Sequence, residues 1–300
     1  MDWITGIQNA INYIEDHLTE QIDYELVARE SFSSSYHFQR LFSILSGYTL
    51  GEYIRSRRLT LAGTELATGK AKVIDIAAKY GYDSPDSFAK AFQKFHGMTP
   101  SQARSNGAML KSFSRLSFKI TLEGGSIMRY KIVEMEELVL TGFKRRFTGT
   151  PEKRNRQDHE FAVNTRLHQY ILQGAARDCE TVYEVITNFG DDGYDFYIAS
   201  KLDPLMMTDF EEDLGEFAKA YEHVTIPAGS YLVCETERCE YPTEELEALR
   251  SRAMTEWLPS AGYELANAPE FDIIHWYWKY GDDKVNSSRY TELWLPIVKK

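Results

Sequence analysis

SSSYHFQRLFSILSGYT, residues 33–49, is followed fifty positions later by DSPDSFAKAFQKFHGMT, residues 83–99. At that offset Ser34 meets Ser84, Phe38 meets Phe88, Phe42 meets Phe92, Gly47 meets Gly97 and Thr49 meets Thr99. Upstream, Leu26-Val27-Ala28 lies over Ile76-Ala77-Ala78, and Phe32 over Tyr82. Each copy reads as a short helix, a turn, a longer helix stopped by glycine, and a new helix start. A duplicated helix-turn-helix is the simplest account of such a period.

The flanking residues extend this reading. Ile4, Ile7, Ile11, Ile14 and Leu18 recur at helical spacing and predict an opening amphipathic helix. Asp23 is placed to cap a short helix over 24–30. On the helix after the first turn, Phe38, Leu41, Phe42 and Leu45 form the apolar stripe. Tyr36, His37, Gln39, Arg40 and Ser43 are expected outside it. Thr49 starts a long helix over 50–67 that carries Arg55, Arg57 and Arg58. The second copy repeats the plan over 73–79 and from Ser84, with Pro85 at a first-turn position that suits it. Its outward residues are Asp86, Ser87, Lys90 and Lys94.

The net charge of −11 argues against a nucleic-acid partner only when the chain is taken whole. Residues 1–110 hold 11 Lys+Arg and 12 Asp+Glu, whereas the remainder holds 23 and 33. Residues 31–51 contain Arg40 and no acid. Binding phosphate requires a local basic face, not a basic protein. Recognition helices of this motif enter the major groove and read base edges. Two of them, joined by one long helix, reach neighbouring groove segments without a dimer. A monomer, or a weak dimer, is therefore the expected state.

The quoted residues, with Tyr53-Ile54, Arg58-Leu59, Gly81-Tyr82 and Met98-Thr99-Pro100, resemble the AraC/XylS family of bacterial transcription regulators over about residues 5–105. The resemblance implies binding of double-stranded promoter DNA and contact with RNA polymerase. By position it assigns base and phosphate contacts to Ser35, Tyr36, Gln39 and Arg40 in the first copy. In the second copy it assigns Pro85, Asp86, Ser87 and Lys90, with Lys94 on the same outward face. Arg55 is a further phosphate candidate. Asp86 departs from a phosphate-binding pattern, although an acid can accept from cytosine N4.

Residues 109–127, which include Gly124-Gly125, lack a strong period and read as a linker between a domain over 1–108 and another over 128–300. From Met128, Tyr, Trp and Val rise and strand patterns appear. Strand regions are expected at 130–133 with 138–147, 182–189, 194–200, 217–226, 231–237, 271–280 and 290–298. Helices are expected over 161–172 and 244–257. The Gly190-Asp-Asp-Gly193 segment signals a hairpin. The fold class is therefore multidomain: an all-α double helix-turn-helix domain, then an α+β antiparallel sheet built from two strand–helix–strand–strand repeats.

In the last strand, Leu293, Leu295 and Ile297 point one way, and Glu292 and Trp294 the other. If the leucine side packs on helices, Glu292 stands beside an indole on a groove face. A carboxylate among aromatic rings suits a cation. Trp276, Tyr277, Trp278 and Tyr197 are candidate walls, and both parities of 271–280 stay open. Tyr194-Asp-Phe-Tyr197-Ile198, Ile226-Pro-Ala-Gly-Ser-Tyr231, Trp257-Leu-Pro-Ser260 with Gly262-Tyr263, and Glu292-Leu-Trp-Leu-Pro296 resemble the GyrI-like effector-binding domain over roughly 128–298. That resemblance implies a small-molecule effector, cationic and aromatic or amphipathic, recognised by Glu292. Pro204–Met207 and the acidic run 209–213 fall where that family varies. A hydrolase using Glu292 and a tyrosine, and a module that sequesters a protein partner, are the competing readings.

Cys179, Cys234 and Cys239 offer no paired framework, no metal-ligand spacing and no cofactor motif. The first residues lack a basic leader, and no apolar run is long enough to span a membrane. A cytoplasmic location is expected.

Overall fold

A computed structural model describes residues 3–69, 71–105, 107–117, 128–153, 155–202, 215–277 and 282–300. Trp278, the Pro204–Met207 stretch, the acidic run at 209–213 and the glycine pair at 124–125 lie outside the described residues. The chain divides into two compact units, Met1–Thr121 and Leu122–Lys300.

The first unit is helical: α1 (Trp3–Asp16), α2 (Tyr24–Glu30), α3 (Ser35–Ser46), α4 (Leu50–Thr68), α5 (Val73–Lys79) and α6 (Pro85–His96). Its boundaries follow local chemistry. The Ser34 and Ser84 hydroxyls accept from the backbone N–H of His37 and Ser87, and Thr49 and Glu52 form a capping box. Gly47 and Gly97 end α3 and α6 in the left-handed region, at φ 69° and 81°.

The long helix α4 serves two cores. Its Leu50, Tyr53 and Ile54 join Ile7, Ile11, Ile14, Val27, Phe38 and Phe42. Its Leu59, Ala62 and Leu66 join Ile76, Ala77, Phe88 and Phe92. One rigid element thus carries both helix-turn-helix motifs. Arg57 and Arg58 fasten it. Arg57 donates through Nε and Nη2 to the Glu15 carboxylate, 2.8 Å in each case, and Tyr53 donates to the same group. Arg58 donates to the carbonyls of Leu18 and Glu20. Residues 109–117, expected as linker, pack here too. Phe113 stands edge-on to Tyr53, and its carbonyl accepts from Arg57.

The second unit has β1 (Tyr130–Met135), β2 (Leu138–Thr148), α7 (Asn155–Asn164), α8 (Arg166–Ala176), β3 (Thr181–Gly190), β4 (Gly193–Ser200), β5 (Glu222–Ile226), β6 (Gly229–Glu235), α9 (Leu246–Arg252), β7 (Tyr263–Leu265), β8 (Glu270–His275) and β9 (Tyr290–Lys299). Two strands precede the helix in each repeat, and the expected helix over 161–172 breaks at Thr165 into α7 and α8. A short 3₁₀ segment replaces strand at 215–220. Gly193 sits at φ 148°, where a Cβ would stand 1.8 Å from the Phe147 carbonyl oxygen, so the hairpin requires glycine.

The antiparallel strands run in the order β1-β6-β9-β8-β3-β4-β2-β5, with β7 added beside β9. β5 and β6 are six strands apart along that row, yet only Pro227 and Ala228 link them. β1 and β2 are equally far apart and joined by Glu136 and Glu137. A flat sheet would hold each pair about 29 Å apart at about 4.8 Å per strand. Such a link spans at most about 11 Å. The sheet must curl. Its convex face packs Phe143, Phe147, Ile186, Tyr194, Phe196 and Ile198 against Phe161, Leu172 and Ala175 of α7 and α8. Its concave face collects Leu140, Val185, Tyr197, Val224, Tyr231, Val233 and Phe271, with Trp294 at the margin.

His96 ties α6 to α4 and to the 109–117 segment. Its Nε2 lies 3.0 Å from the Leu59 carbonyl, and its Nδ1 accepts from the Lys111 backbone N–H. Burial, outweighing the Leu59 bond, holds this imidazole below its ordinary pKa. A depressed histidine stabilises the fold above its unfolded pKa, about 6.5, and that contribution disappears as pH falls. Amide exchange of α4 and α6 in the full chain is therefore predicted to accelerate between pH 7 and pH 5 beyond the intrinsic trend. His96→Gln is predicted to remove the pH dependence at a cost of about 1–2 kcal/mol.

Candidate functional site

The two motifs present their second helices differently. On α6, Pro85, Asp86, Ser87, Lys90 and Lys94 are all exposed, with Gln93 beside them. The last four polar positions of that set follow helical spacing, so they share one solvent face. On α3, Ser35, Tyr36 and Gln39 are half-buried, and Gln39 donates from Nε2 to the Ser35 hydroxyl at 3.3 Å.

Arg40 corrects the expectation of an outward cation. It is fully enclosed, and its Nη1 donates to the Ser43 hydroxyl at 2.9 Å, while that hydroxyl donates to the Arg40 carbonyl. His37 and Ser43, also expected outside the apolar stripe, are buried with it. A guanidinium on a long stem can occupy a packed polar niche that helical periodicity alone assigns to solvent. Arg55 is exposed, as its position on α4 suggested, whereas Arg57 and Arg58 are engaged within the helical unit.

In the second unit, the concave face is built from strand alternation. Phe271, Ile273 and His275 of β8 stand opposite Trp294, Glu292 and Tyr290 of β9. The intervening Glu270 and Asp272 face the other way, where the Arg250 guanidinium of α9 bonds both carboxylates. This settles the parity of β8. Trp276 leaves the strand on the opposite parity and lies under the Arg289 guanidinium, 4.8 Å from its ring centroid. It is not brought beside Glu292. Tyr197 lies on the concave face but farther along the same strand row, beyond Phe271 and Val185, and it is buried.

Around Glu292 the rings close in. Trp294 stacks on Phe271 at 5.2 Å, and Tyr231 stands 6.2 Å from the indole. The indole N–H donates to Glu292 Oε2 at 2.8 Å. His275 Nε2 lies 3.5 Å from Oε1, and its ring stacks on Tyr290 at 4.1 Å. Burial raises the Glu292 carboxyl, but His275, the Trp294 N–H and the charge of Lys131 outweigh it and hold the group below the ordinary carboxylate range. Glu235 is its direct cross-strand neighbour on β6, with Lys131 and Arg238 at 3.7 and 3.6 Å from that second acid. His275, Tyr231, Phe271 and Tyr290 were missed by sequence reasoning. The signal was the alternation Phe271-Ile273-His275, which becomes readable once Glu270 and Asp272 are assigned to the helix side.

The other half of the concave face holds its own cations. Arg146 bonds Asp195 and Asp192, and Asn188 donates to Asp195 at 2.8 Å. Lys144 lies 5.7 Å from the Tyr197 ring centroid and 2.7 Å from Glu222. The arrangement of a cation between an acid and a ring is thus already realised here with the chain's own side chains.

Comparisons with known proteins match each unit separately. A family described as a helix-turn-helix domain matches residues 27–106, and one described as integron-associated effector binding protein matches residues 131–297. Regulatory protein SoxS of Salmonella typhimurium is 40% identical over 98 residues, which cover 33% of this chain and 92% of SoxS. Transcriptional regulator Rob of the same organism is 28% identical over 165 residues, 54% of this chain and 56% of Rob. The solved structure of an integron cassette protein from the mobile metagenome of Vibrio cholerae aligns at 15% identity with a TM-score of 0.35, over 56% of this chain and 95% of that one.

The enclosure of Arg40 makes it a stability residue. Arg40→Ala is predicted to destabilise the first unit by about 2–3 kcal/mol, because it leaves buried polar partners unsatisfied. Chemical denaturation followed by helix signal checks this, with Arg55→Ala as the near-neutral control.

Proposed function

The chain belongs to the AraC-type helix-turn-helix transcription regulators and carries an effector-binding domain of the integron-associated kind; on that premise we propose that it senses an organic cation at Glu292. α3 and α6 are proposed to enter successive major-groove segments of promoter DNA. Ser35, Tyr36 and Gln39 then lie at the first groove, and Pro85, Asp86, Ser87, Lys90 and Lys94 at the second. Arg55 is proposed as a phosphate contact. The exposure of the α6 residues and Arg55 and the partial exposure of Ser35, Tyr36 and Gln39 support the assignment, and the burial of Arg40 removes it from the set. A single chain with both readers suffices, so a monomer acting in the cytoplasm and contacting RNA polymerase is the accompanying proposal.

One observation carries the effector reading. Glu292 is an ionised carboxylate, largely removed from water, on a concave aromatic face, bonded by the Trp294 indole and faced by an imidazole. Charge in such a setting is costly unless it meets a counter-charge. A cation with aromatic or aliphatic bulk meets the acid and also covers Trp294 and its neighbours. Tyr197, with Lys144 above it, lines the far end of the same face. A carboxylate held below its usual range is a weak general base, which favours binding over hydrolysis.

Titration with tetraphenylphosphonium, whose charge does not change with pH, tests this. Glu292→Gln is predicted to weaken binding at least about tenfold, the scale of a lost half-buried charge contact, with the fold unchanged by circular dichroism. Unaltered affinity contradicts the reading. For the DNA half, duplexes selected from a random pool supply the probe. Lys90→Ala is predicted to lower affinity and reduce the slope of log K against log salt by about 1, whereas Gln39→Ala is predicted to relax sequence preference with little change in that slope.

A further inference from the structure

We propose that His275 is a tethered competitor for the cation slot at Glu292, so that the effector binds by displacing a protonated imidazole and its affinity falls in acid. The inference rests on the effector reading of Glu292 and adds a residue that sets its specificity and pH response.

The geometry places the imidazole for this role. His275 is on the concave-face parity of β8, and its side chain is only 17% exposed. Its Nε2 is aimed at Glu292 Oε1 at 3.5 Å, an ion-pair distance, yet this nitrogen is buried and makes no hydrogen bond among the described residues. A neutral Nε2 in that place is an unsatisfied polar atom. A protonated one is a cation beside a carboxylate. The ring lies flat on Tyr290 at 4.1 Å and 10°, which fixes its plane and directs the nitrogen at the acid.

Charged and titratable groups face the ring from several elements. From β9 the ring meets Glu292 and the Tyr290 hydroxyl side chain, and from its own strand's continuation Tyr277 lies 6.1 Å away. From β3, Tyr183 lies in the electrostatic reach of Glu292 and Asp178. From β6 and its neighbours come Glu235 with Lys131 and Arg238, the last 3.2 Å above the Tyr290 ring centroid. Glu235 is the cross-strand neighbour of Glu292, and Lys131 and Arg238 both lie against Glu235. Glu292 is thus the acid that His275 serves. The far end of the groove provides the parallel: Lys144 and Arg146 are permanent cations on Glu222 and Asp195, and they do not titrate in the physiological range. An imidazole does. Fixed cations thus face the acids at one end of the concave face, whereas the side chain in ion-pair range of Glu292 is an imidazole, whose charge is removable.

The linkage has a definite sign. An effector cation and a proton on His275 compete for the same carboxylate. Binding is strongest where the imidazole is neutral and weakens as it gains its proton, by up to about tenfold per pH unit once the protonated form dominates. Binding in the titration range must also release a proton.

Isothermal titration of the full chain with tetraphenylphosphonium between pH 5.5 and pH 8 provides the test, in pairs of buffers of different ionisation enthalpy. The wild-type chain is expected to lose about tenfold in affinity across that range and to release protons on binding toward its acid end. His275→Gln and His275→Phe, the second preserving the ring stack on Tyr290, are expected to show flat profiles without proton release and affinity at pH 5.5 at least as tight as wild type. A flat wild-type profile overturns the inference while leaving the role of Glu292 intact. An identical acid loss in wild type and both variants also overturns it, because another group then titrates. Absence of binding by all three proteins at every pH removes the effector reading and this inference together.

Discussion

A row of strands whose opposite ends are joined by two-residue links has to bend. The Pro227-Ala228 and Glu136-Glu137 links impose that bend on the second unit, and the concave aromatic face follows from it. A flat antiparallel sheet would expose one face to water. A curled one encloses that face, so Tyr231, Phe271, Val233 and Tyr197 are buried in a cluster drawn, among the described residues, from strands. The acid on β9 is consequently held among rings, and the desolvation that accompanies this is offset by an indole N–H and an imidazole. The convex face explains how strand β8 stays in register: Arg250 of α9 bonds Glu270 and Asp272. The alternate residues of β8 are thereby kept toward the concave side.

The first unit depends on a different economy, one helix shared by two cores. α4 contributes apolar residues to both helix-turn-helix motifs, and Arg57 and Arg58 anchor its middle to α1 and the residues just after it. Spacing between α3 and α6 is therefore a property of a rigid element, as two readers of neighbouring groove segments require.

Much of this was legible in the chain. The fifty-residue repeat located the capped helices, because serine and threonine caps and left-handed glycines are local chemistry. The alternation in 290–298 placed Glu292 and Trp294 on one face. What remained hidden was long-range. Arg40 looks like a solvent residue from its neighbours in sequence, and only packing shows it enclosed. Trp276 looked like a wall for the groove, but the buried pairing of Arg250 with Glu270 and Asp272 fixes the opposite parity. His275 carries no signal until β8 and β9 are laid side by side.

A co-crystal structure with tetraphenylphosphonium tests the central claim most directly. The account predicts density for the cation on the concave face, its charged centre within about 6 Å of the Trp294 ring and nearest to the Glu292 carboxylate, with the His275 ring shifted away from Oε1. A cation seated elsewhere, with Glu292 still facing His275 at its present distance, would contradict it.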